Sequence, residues 1–301
     1  MADQERHCGY AAIIGAPNAG KSTLVNALVG AKVSIVTPKV QTTRMRVLGI
    51  AIKDVLQLVL LDTPGIFTPK RRLDRAMVDA AWQGAGDADV VVFLHDASKR
   101  SLDEDSQSIA QTLASVKKPT FLVLNKVDRA KHEVLLERAA RLNEIFPFDR
   151  TFMISALTGS GVSDLLAALF KKLPKGPWLY EEDQLTDMPL RLWAAELTRE
   201  QLFLKLHEEL PYSLTVETEK WEDFKDGSVK ISQIVYVERP SQKAIVLGKE
   251  GAQIRTSRMR AQAEIQKALD RRVHLFITVK VRENWQDDPE RYRSWGLNFE
   301  G

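Results

Sequence analysis

Nine residues near the N-terminus lie between an apolar run and a helical pattern, and their spacing is that of a phosphate-binding loop. They read Gly15, Ala16, Pro17, Asn18, Ala19, Gly20, Lys21, Ser22 and Thr23, which fits Gly-x4-Gly-Lys-Ser. The glycines let backbone amides curl around phosphate oxygens, and the helix N-terminus adds positive potential. We expect Lys21 to reach the β- and γ-phosphates of a nucleotide and Ser22 to offer its hydroxyl to Mg2+.

Two further polar sites supply what the chemistry of a nucleoside triphosphate requires. Residues 62–65 end a strand-like run, so that Asp62 can hold Mg2+ through water and the Gly65 amide can meet the γ-phosphate. The polar loop at residues 41–44, Gln-Thr-Thr-Arg, offers a threonine hydroxyl to the same metal, and we favour Thr43 over Thr42. The predicted nucleotide contacts here are Asp62, Thr63, Pro64 and Gly65. The predicted Mg2+ ligands are Ser22, Thr43 and Asp62, and the predicted catalytic residues are Lys21, Thr43, Asp62 and Gly65.

A carboxylate after a later apolar run indicates which base is bound. Asp128 follows the run at residues 120–124, where a base would lie against the carboxyl ends of a sheet. Its carboxylate can accept hydrogen bonds from the ring NH and exocyclic amine of guanine, a donor pair that adenine lacks. We expect the Lys126 stem to cover the base and the Ala156 amide to donate to the guanine carbonyl oxygen. The predicted base-binding residues are Asn125, Lys126, Asp128, Ser155, Ala156 and Leu157.

A basic segment near the C-terminus surrounds a second glycine-containing loop. Residues 239–282 contain 11 Lys or Arg residues against 3 Asp or Glu residues, a net charge of +8 within a chain of net charge +3. Residues 247–254 fit a KH pattern, in which an apolar strand leads into a Gly-x-x-Gly loop and a helix packs Ile254 inward. Glu250 in the loop would repel a phosphate. The predicted RNA-binding residues are Gly248, Lys249, Gly251, Arg255, Arg258 and Arg260.

The elements that position these residues follow from the apolar pattern. Strands are predicted at residues 10–14, 46–52, 55–61, 89–95, 120–124 and 150–154, with amphipathic helices between them. This alternation predicts an α/β domain with a mostly parallel sheet and helices on both faces. After a proline-containing acidic stretch come a helix at 189–207, strands at 214–218, 229–237 and 273–281, and a helical pair at 251–269. We therefore predict a first domain at residues 1–174, a linker at 175–187 and a smaller α+β domain at 188–301.

Composition excludes several other classes of protein. No run approaches the roughly 18 apolar residues of a membrane-spanning helix, and the N-terminus lacks the apolar core of a signal peptide, so we expect a cytoplasmic protein. Cys8 has no partner for an internal disulfide, and the five histidines lack metal-binding spacing. The aromatic residues after residue 284 are expected to pack a terminal helix rather than stack on bases.

These motifs resemble those of the translation-factor-related GTPases, and within them the bacterial ribosome-assembly GTPases that carry a KH domain. The narrower resemblance rests on Gly-Ala-Pro-Asn-Ala-Gly-Lys-Ser at 15–22, Gln-Thr-Thr-Arg at 41–44 and Asp-Thr-Pro-Gly-Ile at 62–66. It extends to the acidic linker at 180–187 and to His-Glu-Glu-Leu-Pro-Tyr-Ser at 207–213, and covers residues 9–300. The resemblance implies a Mg2+-dependent enzyme that converts GTP to GDP and phosphate. It also implies that a C-terminal KH domain binds the 3′ end of 16S-type ribosomal RNA and assists 30S subunit assembly, with peripheral inner-membrane association. We expect a monomer.

Two positions bear on the rate of hydrolysis. Ile66 stands where many signalling GTPases carry a glutamine that orients water, so intrinsic hydrolysis should be slow, and the water-positioning group stays unassigned. Asn18 leads to the hypothesis that a monovalent cation such as K+ binds near the transferred phosphoryl group.

Two other functions are compatible with parts of the pattern. In the first, the basic C-terminal face of a nucleotide-controlled adaptor binds anionic lipid or a protein partner instead of RNA. The Gly-x-x-Gly loop argues against it. In the second, the phosphate loop belongs to an ATP-dependent phosphoryl transferase, which conflicts with Asp128.

Overall fold

The structure is a computed structural model that describes residues 5–39, 42–207 and 210–299. Gln41 of the 41–44 motif, and Glu208 and Glu209 of the 207–213 motif, lie outside the described residues. The chain divides into two compact units. Unit 1 comprises Met1–Ser34, Thr43–Asp187 and Pro289–Gly301, and unit 2 comprises Ile35–Thr42 and Met188–Asp288.

Two short segments belong to a different unit from the residues next to them in the chain. The sequence predicts a linker at residues 175–187 between the domains, whereas the units separate between Asp187 and Met188, so that residues 175–187 group with unit 1. In addition, the described residues within 35–42 group with unit 2, and those within 289–301 group with unit 1. Sequence periodicity carries no signal for such exchanges, since it reports only on local structure.

Unit 1 is built from alternating strands and helices. Its strands are β1 (His7–Ile14), β2 (Val47–Lys53), β3 (Leu56–Asp62), β4 (Val90–Asp96), β5 (Thr120–Asn125) and β6 (Arg150–Met153). Its helices are α1 (Lys21–Val29), α2 (Arg72–Asp87), α3 (Glu104–Thr112), α4 (His132–Ile145) and α5 (Val162–Phe170). The strands form a sheet in the order β2-β3-β1-β4-β5-β6, in which β2 is antiparallel to β3 and the other pairs are parallel.

The core of unit 1 lies on both faces of this sheet. Every residue of β4 and β5 is buried, as expected for strands covered on two sides. One apolar cluster joins the sheet to α1 and α5, through residues such as Leu24 and Leu165. A second cluster joins the sheet to α2, α3 and α4, through residues such as Ala81 and Ile109. The predicted α/β fold with helices on both faces is thereby confirmed.

Unit 2 packs three helices with a smaller sheet. Its helices in this part of the chain are α6 (Leu190–Lys205), α7 (Pro240–Leu247) and α8 (Ala252–Leu269), and its strands are β7 (Leu214–Asp223), β8 (Val229–Val237) and β9 (Val273–Val281). The strand order is β7-β8-β9, with β7 antiparallel and β9 parallel to β8. The predicted α+β class of this region is confirmed.

Two predicted elements of unit 2 are wrong. Residues 251–269, predicted as a helical pair, contain the single helix α8 (Ala252–Leu269). The residues before the Gly-x-x-Gly loop form helix α7 and not the apolar strand that the pattern suggested. Pro240 stands at the first helical turn, and the Gln242 side chain accepts hydrogen bonds from the amides of Glu238 (2.9 Å) and Arg239 (3.0 Å). These caps fix a helix start, whereas the apolar run at 245–247 is too short to distinguish a strand from a helix.

The described residues 35–39 and 42, here called the strap, are held to α6 within unit 2. Ile35 is 6% exposed and joins the apolar cluster that contains Ala194 and Leu197. The Val36 amide donates to Glu200 Oε1 at 2.8 Å, and Arg199 donates to the Thr42 carbonyl. Lys39 Nζ donates to the carbonyls of Phe203 and Leu206, near the end of α6.

The C-terminal end contains α9 (Pro289–Ser294), which belongs to unit 1. Trp285 before it and Tyr292 within it are fully buried, so the expected packing of these aromatics is confirmed. Tyr292 and Phe299 form an edge-to-face pair with centroids 5.0 Å apart, and the Arg72 guanidinium lies 4.8 Å from the Phe299 ring centroid. Across the described ranges, no helix is both long enough and apolar enough to cross a bilayer.

Candidate functional site

The predicted nucleotide residues come together at the carboxyl edge of the sheet in unit 1. In the strand order β3-β1-β4, the parallel strands β3 and β4 lie on opposite sides of β1. In open α/β sheets, ligands bind at the carboxyl ends of the strands where the strand order reverses in this way. The phosphate loop follows β1, Asp62 ends β3 and Asn125 ends β5. Asp96 ends β4 at the same edge.

The phosphate loop has a backbone that requires glycine at Gly20. This residue has φ of 99°, and a Cβ atom there would lie 2.4 Å from Asn125 Nδ2. Lys21 begins α1, and its Nζ donates to the carbonyls of Gly15 and Ala16, each at 3.1 Å. Burial lowers the pKa of Lys21 to about 8, and the nearby Asp62 charge opposes this shift. A buried ammonium at the start of a helix is suited to attract phosphate.

Three oxygen-bearing side chains meet beside Lys21. Ser22 Oγ lies 2.8 Å from Thr43 Oγ1, which donates to Asp62 Oδ2 at 3.3 Å. Asp62 is fully buried, its pKa is raised by burial, and its Oδ1 has no hydrogen-bond partner among the described residues. The Thr42 hydroxyl instead contacts Thr37 Oγ1 (2.7 Å) and the Lys39 carbonyl (2.8 Å).

This oxygen cluster fits Mg2+. The ion prefers oxygen ligands and commonly takes one or two carboxylates together with substrate phosphates. A buried carboxylate oxygen without a partner is expensive unless a cation or water satisfies it. In the described ranges, no group of three or more His, Cys, Asp and Glu residues offers an alternative metal site. Ser22, Thr43 and Asp62 are therefore brought together as predicted, with Thr43 and not Thr42 at the centre.

The segment after Asp62 closes over the phosphate loop. Thr63 Oγ1 donates to the Ile13 carbonyl at 2.8 Å, and a Cβ atom on Gly65 would lie 3.0 Å from Pro17 Cα. The Ile66 amide donates to the Gly15 carbonyl at 3.1 Å, and its side chain is 7% exposed. Pro64 is also buried. Ile66 thus contributes to the core and presents no polar group to a water molecule.

Asn125 connects the phosphate loop to the loop after β6. Its Nδ2 donates to the Ala19 carbonyl at 2.8 Å, and its Oδ1 accepts from the Ala156 amide at 2.9 Å. The Ala156 amide, which we expected to donate to guanine, therefore donates to Asn125 in this structure. Ser155 is buried next to it, and Leu157 is 71% exposed.

Lys126 and Asp128, the residues predicted to contact the base, directly follow β5 at the same edge of the sheet. Lys126 has a left-handed backbone with φ of 65°, and its Nζ donates to the Asn18 carbonyl (2.7 Å) and to Asp96 Oδ2 (2.6 Å). Asp128 is an exposed residue whose side chain is 29% exposed, and its Oδ2 lies 3.6 Å from Arg129 Nε. The contact with Asp96 was not predicted, because an aspartate after a strand is more often part of a turn.

The Gly-x-x-Gly loop in unit 2 is a tight turn with three left-handed residues. Gly248, Glu250 and Gly251 have φ of 70°, 52° and 75°. Lys249 and Glu250 are exposed at its tip. A Cβ atom on Gly248 would lie 2.7 Å from Gln253 Cβ, whereas one on Gly251 would meet open space.

The predicted RNA-binding arginines of α8 are not equivalent. Arg255 and Arg260 are exposed. Arg258 is half-buried and donates to Gln262 Oε1 (3.1 Å) and to the Leu275 carbonyl (3.3 Å). The exposed pair is therefore better suited to contact a phosphate than Arg258.

Comparisons with known proteins place both units in one family. Residues 10–126 match the family described as 50S ribosome-binding GTPase, and residues 209–286 match the KH domain. The chain is 62% identical to the GTPase Era of Mesorhizobium japonicum over 97% of this chain and 94% of that protein. It is 60% identical to the GTPase Era of Sinorhizobium medicae, with coverage of 97% and 94%.

Two solved structures are similar over nearly the whole chain. One is a crystal structure of Era in complex with MgGDPNP and nucleotides 1506–1542 of 16S ribosomal RNA, with a TM-score of 0.91 and 37% identity over 97% of this chain and 99% of that one. The other is a variant of Aquifex aeolicus Era bound to GDP.AlF4−, with a TM-score of 0.90 and 37% identity over 96% and 99%. The chain belongs to the Era family of GTPases, because the Era relatives from Mesorhizobium japonicum and Sinorhizobium medicae are 60–62% identical to it over 97% of its length.

Proposed function

We propose that unit 1 binds and hydrolyses GTP with Mg2+, and that unit 2 binds the 3′ end of small-subunit ribosomal RNA during 30S assembly. The observation that carries the nucleotide half is the convergence of Ser22, Thr43 and Asp62 oxygens beside the buried Lys21. The RNA half is supported by the similar Era structure that contains 16S ribosomal RNA nucleotides. The membrane or protein adaptor is not favoured, because that RNA complex matches nearly all of this chain.

The residues of unit 1 have distinct proposed roles in hydrolysis. Lys21 neutralises charge on the β- and γ-phosphates, and the Gly65 amide donates to the γ-phosphate. Bound Mg2+, held by Ser22, Thr43 and Asp62, would supply further neutralisation of the developing negative charge. Asp128 accepts hydrogen bonds from guanine, and Lys126 covers the base. Because Ile66 offers no hydrogen bond to water, we propose a slow intrinsic rate.

In unit 2, the proposed RNA contacts are the loop backbone at Gly248 and Gly251 and the basic side chains around it. The left-handed glycines let a sugar-phosphate backbone approach closely. Lys249, Arg255 and Arg260 are exposed and positively charged, so they can neutralise phosphates. Arg258 is proposed as a weaker contributor, because its guanidinium is already engaged by Gln262 and Leu275.

Several finer points stay predictions from the sequence. They are the K+ dependence suggested by Asn18, a monomeric state, a cytoplasmic location and peripheral inner-membrane association. Equal hydrolysis rates in potassium and sodium would remove the first of them.

The test of the proposed function is a titration of the full chain, with GDP and then a non-hydrolysable GTP analogue, against the 16S ribosomal RNA 3′ end and a scrambled RNA at two salt concentrations. We expect preference for the authentic RNA that strengthens with the GTP analogue. Equal, steeply salt-dependent binding of both RNAs would contradict the RNA proposal, because it would indicate a general electrostatic surface.

A paired variant tests the named residues. We expect Arg255→Gln with Arg260→Gln to weaken RNA binding and to reduce the slope of log affinity against log salt by roughly 1.4, since each single-strand phosphate contact contributes about 0.7. The matched control is Arg141→Gln with Arg150→Gln, which makes the same charge change at exposed positions of unit 1. An equal loss in both double variants would show that net charge and not this surface determines binding.

A further inference from the structure

Asp96 is a buried carboxylate at the nucleotide edge of the sheet, and the hydrolytic roles described above do not use it. It ends β4, is 8% exposed, and pairs in register with Asn125 of β5. The following residue, Ala97, donates its amide to the Asn125 carbonyl at 2.9 Å. The backbone at Asp96 is therefore fixed beside the segment that carries Lys126.

Both carboxylate oxygens of Asp96 have partners. Oδ2 accepts from Lys126 Nζ at 2.6 Å. Oδ1 accepts from the Ser98 amide at 3.0 Å and from the Ser98 hydroxyl at 2.6 Å. Burial alone would raise the pKa of this carboxyl, but the hydrogen bonds from Lys126 and Ser98 and the Lys126 charge lower it overall, which keeps the group ionised. The Ser98 contacts fix the direction in which Oδ2 points.

The loop that follows Asp96 is anchored a second time. Arg138 of α4 is 2% exposed, and its Nη2 donates to the carbonyl of Arg100 at 2.8 Å. Lys99 forms an ion pair with Asp103 at 3.0 Å. These contacts hold the loop from both ends, so the Asp96 carboxylate occupies a preformed position.

Lys126 is held between two acceptors. Its Nζ contacts Asp96 Oδ2 and the Asn18 carbonyl of the phosphate loop, while its side chain is 26% exposed. A lysine stem has several rotatable bonds, and immobilising it on binding carries an entropic cost. A stem that is already immobilised at its charged end avoids that cost.

We propose that Asp96 is a positioning residue for nucleotide recognition, which holds the Lys126 ammonium against the Asn18 carbonyl so that the Lys126 stem is ready to cover the guanine base. This inference rests on the proposed guanine site and deepens it. Asp96, at the end of β4, would then contribute to nucleotide affinity, whereas Asp128 would determine the preference for guanine over adenine.

The test is Asp96→Asn in the full chain with Mg2+, with fluorescently labelled GDP as the probe. Asparagine keeps the size of the side chain but replaces the charged acceptor with a neutral one, so Lys126 loses its ionic partner and is held less firmly before binding. We expect GDP affinity to fall by roughly three- to tenfold. The preference for GDP over ADP should not change, because Asp128 is intact.

A double-mutant cycle distinguishes positioning from a general structural effect. In a Lys126→Ala background, Asp96→Asn should have no further effect on GDP affinity, because the side chain that it positions is absent. The matched control is Asp149→Asn, which removes another lysine-paired carboxylate, 3.8 Å from Lys172 near the start of β6. It should leave GDP affinity unchanged even if it lowers stability.

The outcomes separate this inference from the proposed function. Asp96→Asn affinity equal to that of the unaltered chain, or the same loss in the Lys126→Ala background, would overturn the role of Asp96 and leave the guanine site standing. An unaltered chain that binds ADP as tightly as GDP would instead overturn the proposed function itself.

Discussion

The side chain of Asn125 connects segments that are distant in the sequence. It is 2% exposed and bonds both the Ala19 carbonyl and the Ala156 amide. The sequence predicts Asn125 as a base-binding residue, and the tertiary structure shows that it also links the phosphate loop to the loop after β6. Local patterns cannot reveal this role, because the two partners come from loops that are far apart in the sequence. The same reason explains why the contact between Asp96 and Lys126 was not predicted.

His95 is a buried histidine with an unusual titration. Its Nδ1 lies 2.9 Å from Ser106 Oγ, and the Ser106 hydroxyl donates its one proton to Asp103 Oδ2. Nδ1 therefore carries a proton and donates the hydrogen bond to Ser106 Oγ. Nε2 has no hydrogen-bond partner in the described part of the chain. Burial lowers the pKa of His95 to about 4. Smaller effects of both signs come from the charges of Asp103, Arg138, Lys99 and Asp96.

We predict that His95 makes the protein less stable as pH falls from about 6.5 to about 4. In this window the unfolded chain takes up a proton on the histidine that the folded chain does not, so the free energy of unfolding decreases by roughly 3 kcal/mol. Urea unfolding between pH 4.5 and 7.5 measures this change. His95→Asn keeps a donor for Ser106 and should flatten the pH dependence; an unchanged slope would assign the effect to carboxylates elsewhere.

At the scale of elements, the phosphate loop shows how a glycine determines the geometry between a strand and a helix. The left-handed Gly20 lets the chain turn from β1 into α1 and brings the Ala19 carbonyl to Asn125. The Gly-x4-Gly-Lys-Ser spacing was sufficient to predict this loop. Most strands were also predictable, since continuous apolar runs in a parallel sheet are a strong signal.

Elements whose ends depend on polar caps or pairing were less predictable. The first strand begins at His7, three residues before the predicted residue 10, because His7, Cys8 and Gly9 pair with β3 without forming an apolar run. The residues before the Gly-x-x-Gly loop are predicted as a strand but form helix α7. The hydrogen bonds of Gln242 fix the start of this helix, and they lie outside the apolar run. Both differences arise from backbone hydrogen bonds, which the apolar pattern does not report.

Replacement of Gly20 by alanine tests the loop. The added Cβ would collide with Asn125 Nδ2, and the alanine would have to adopt a left-handed backbone conformation. We expect this strain to weaken GDP binding by roughly 10- to 100-fold. Calorimetric titration measures the affinity. The control is Gly86→Ala in α2, where nothing lies within 4 Å of the added Cβ, and which should keep GDP affinity and raise stability by up to about 1 kcal/mol. Tight GDP binding by Gly20→Ala would contradict the strain argument.

At the scale of the whole molecule, the strap ends at Thr42, and one peptide bond joins it to Thr43 of the oxygen cluster. The Thr43 hydroxyl contacts Ser22 and Asp62 in unit 1. Its neighbour Thr42 belongs to unit 2, where its carbonyl accepts from Arg199. We predict that a ligand that changes the position of Thr43 also affects the strap. We expect this continuity to be a route by which the bound nucleotide influences RNA binding.

We predict that loosening the strap weakens this coupling. Lys39→Met removes the donor to the Phe203 and Leu206 carbonyls and retains the apolar stem. The ratio of RNA affinities with the GTP analogue and with GDP should move towards one, while GDP affinity itself should change little. RNA titrations in both nucleotide states measure the ratio, and Lys53→Met, at the exposed end of β2, is the control. A ratio unaffected by Lys39→Met would exclude the strap as the coupling element.

The exchange of short segments between the units has a consequence for dividing the chain. A cut after Asp187 would give a C-terminal piece without Ile35, which fills part of the apolar cluster around Ala194 and Leu197. The N-terminal piece would lose Phe299, which packs over Arg72. The C-terminal fragment would therefore expose the cluster that Ile35 covers, and the N-terminal fragment would expose Ile35 itself, so both should aggregate more readily. A self-contained version of either unit needs its missing segment restored by a fusion or supplied as a peptide.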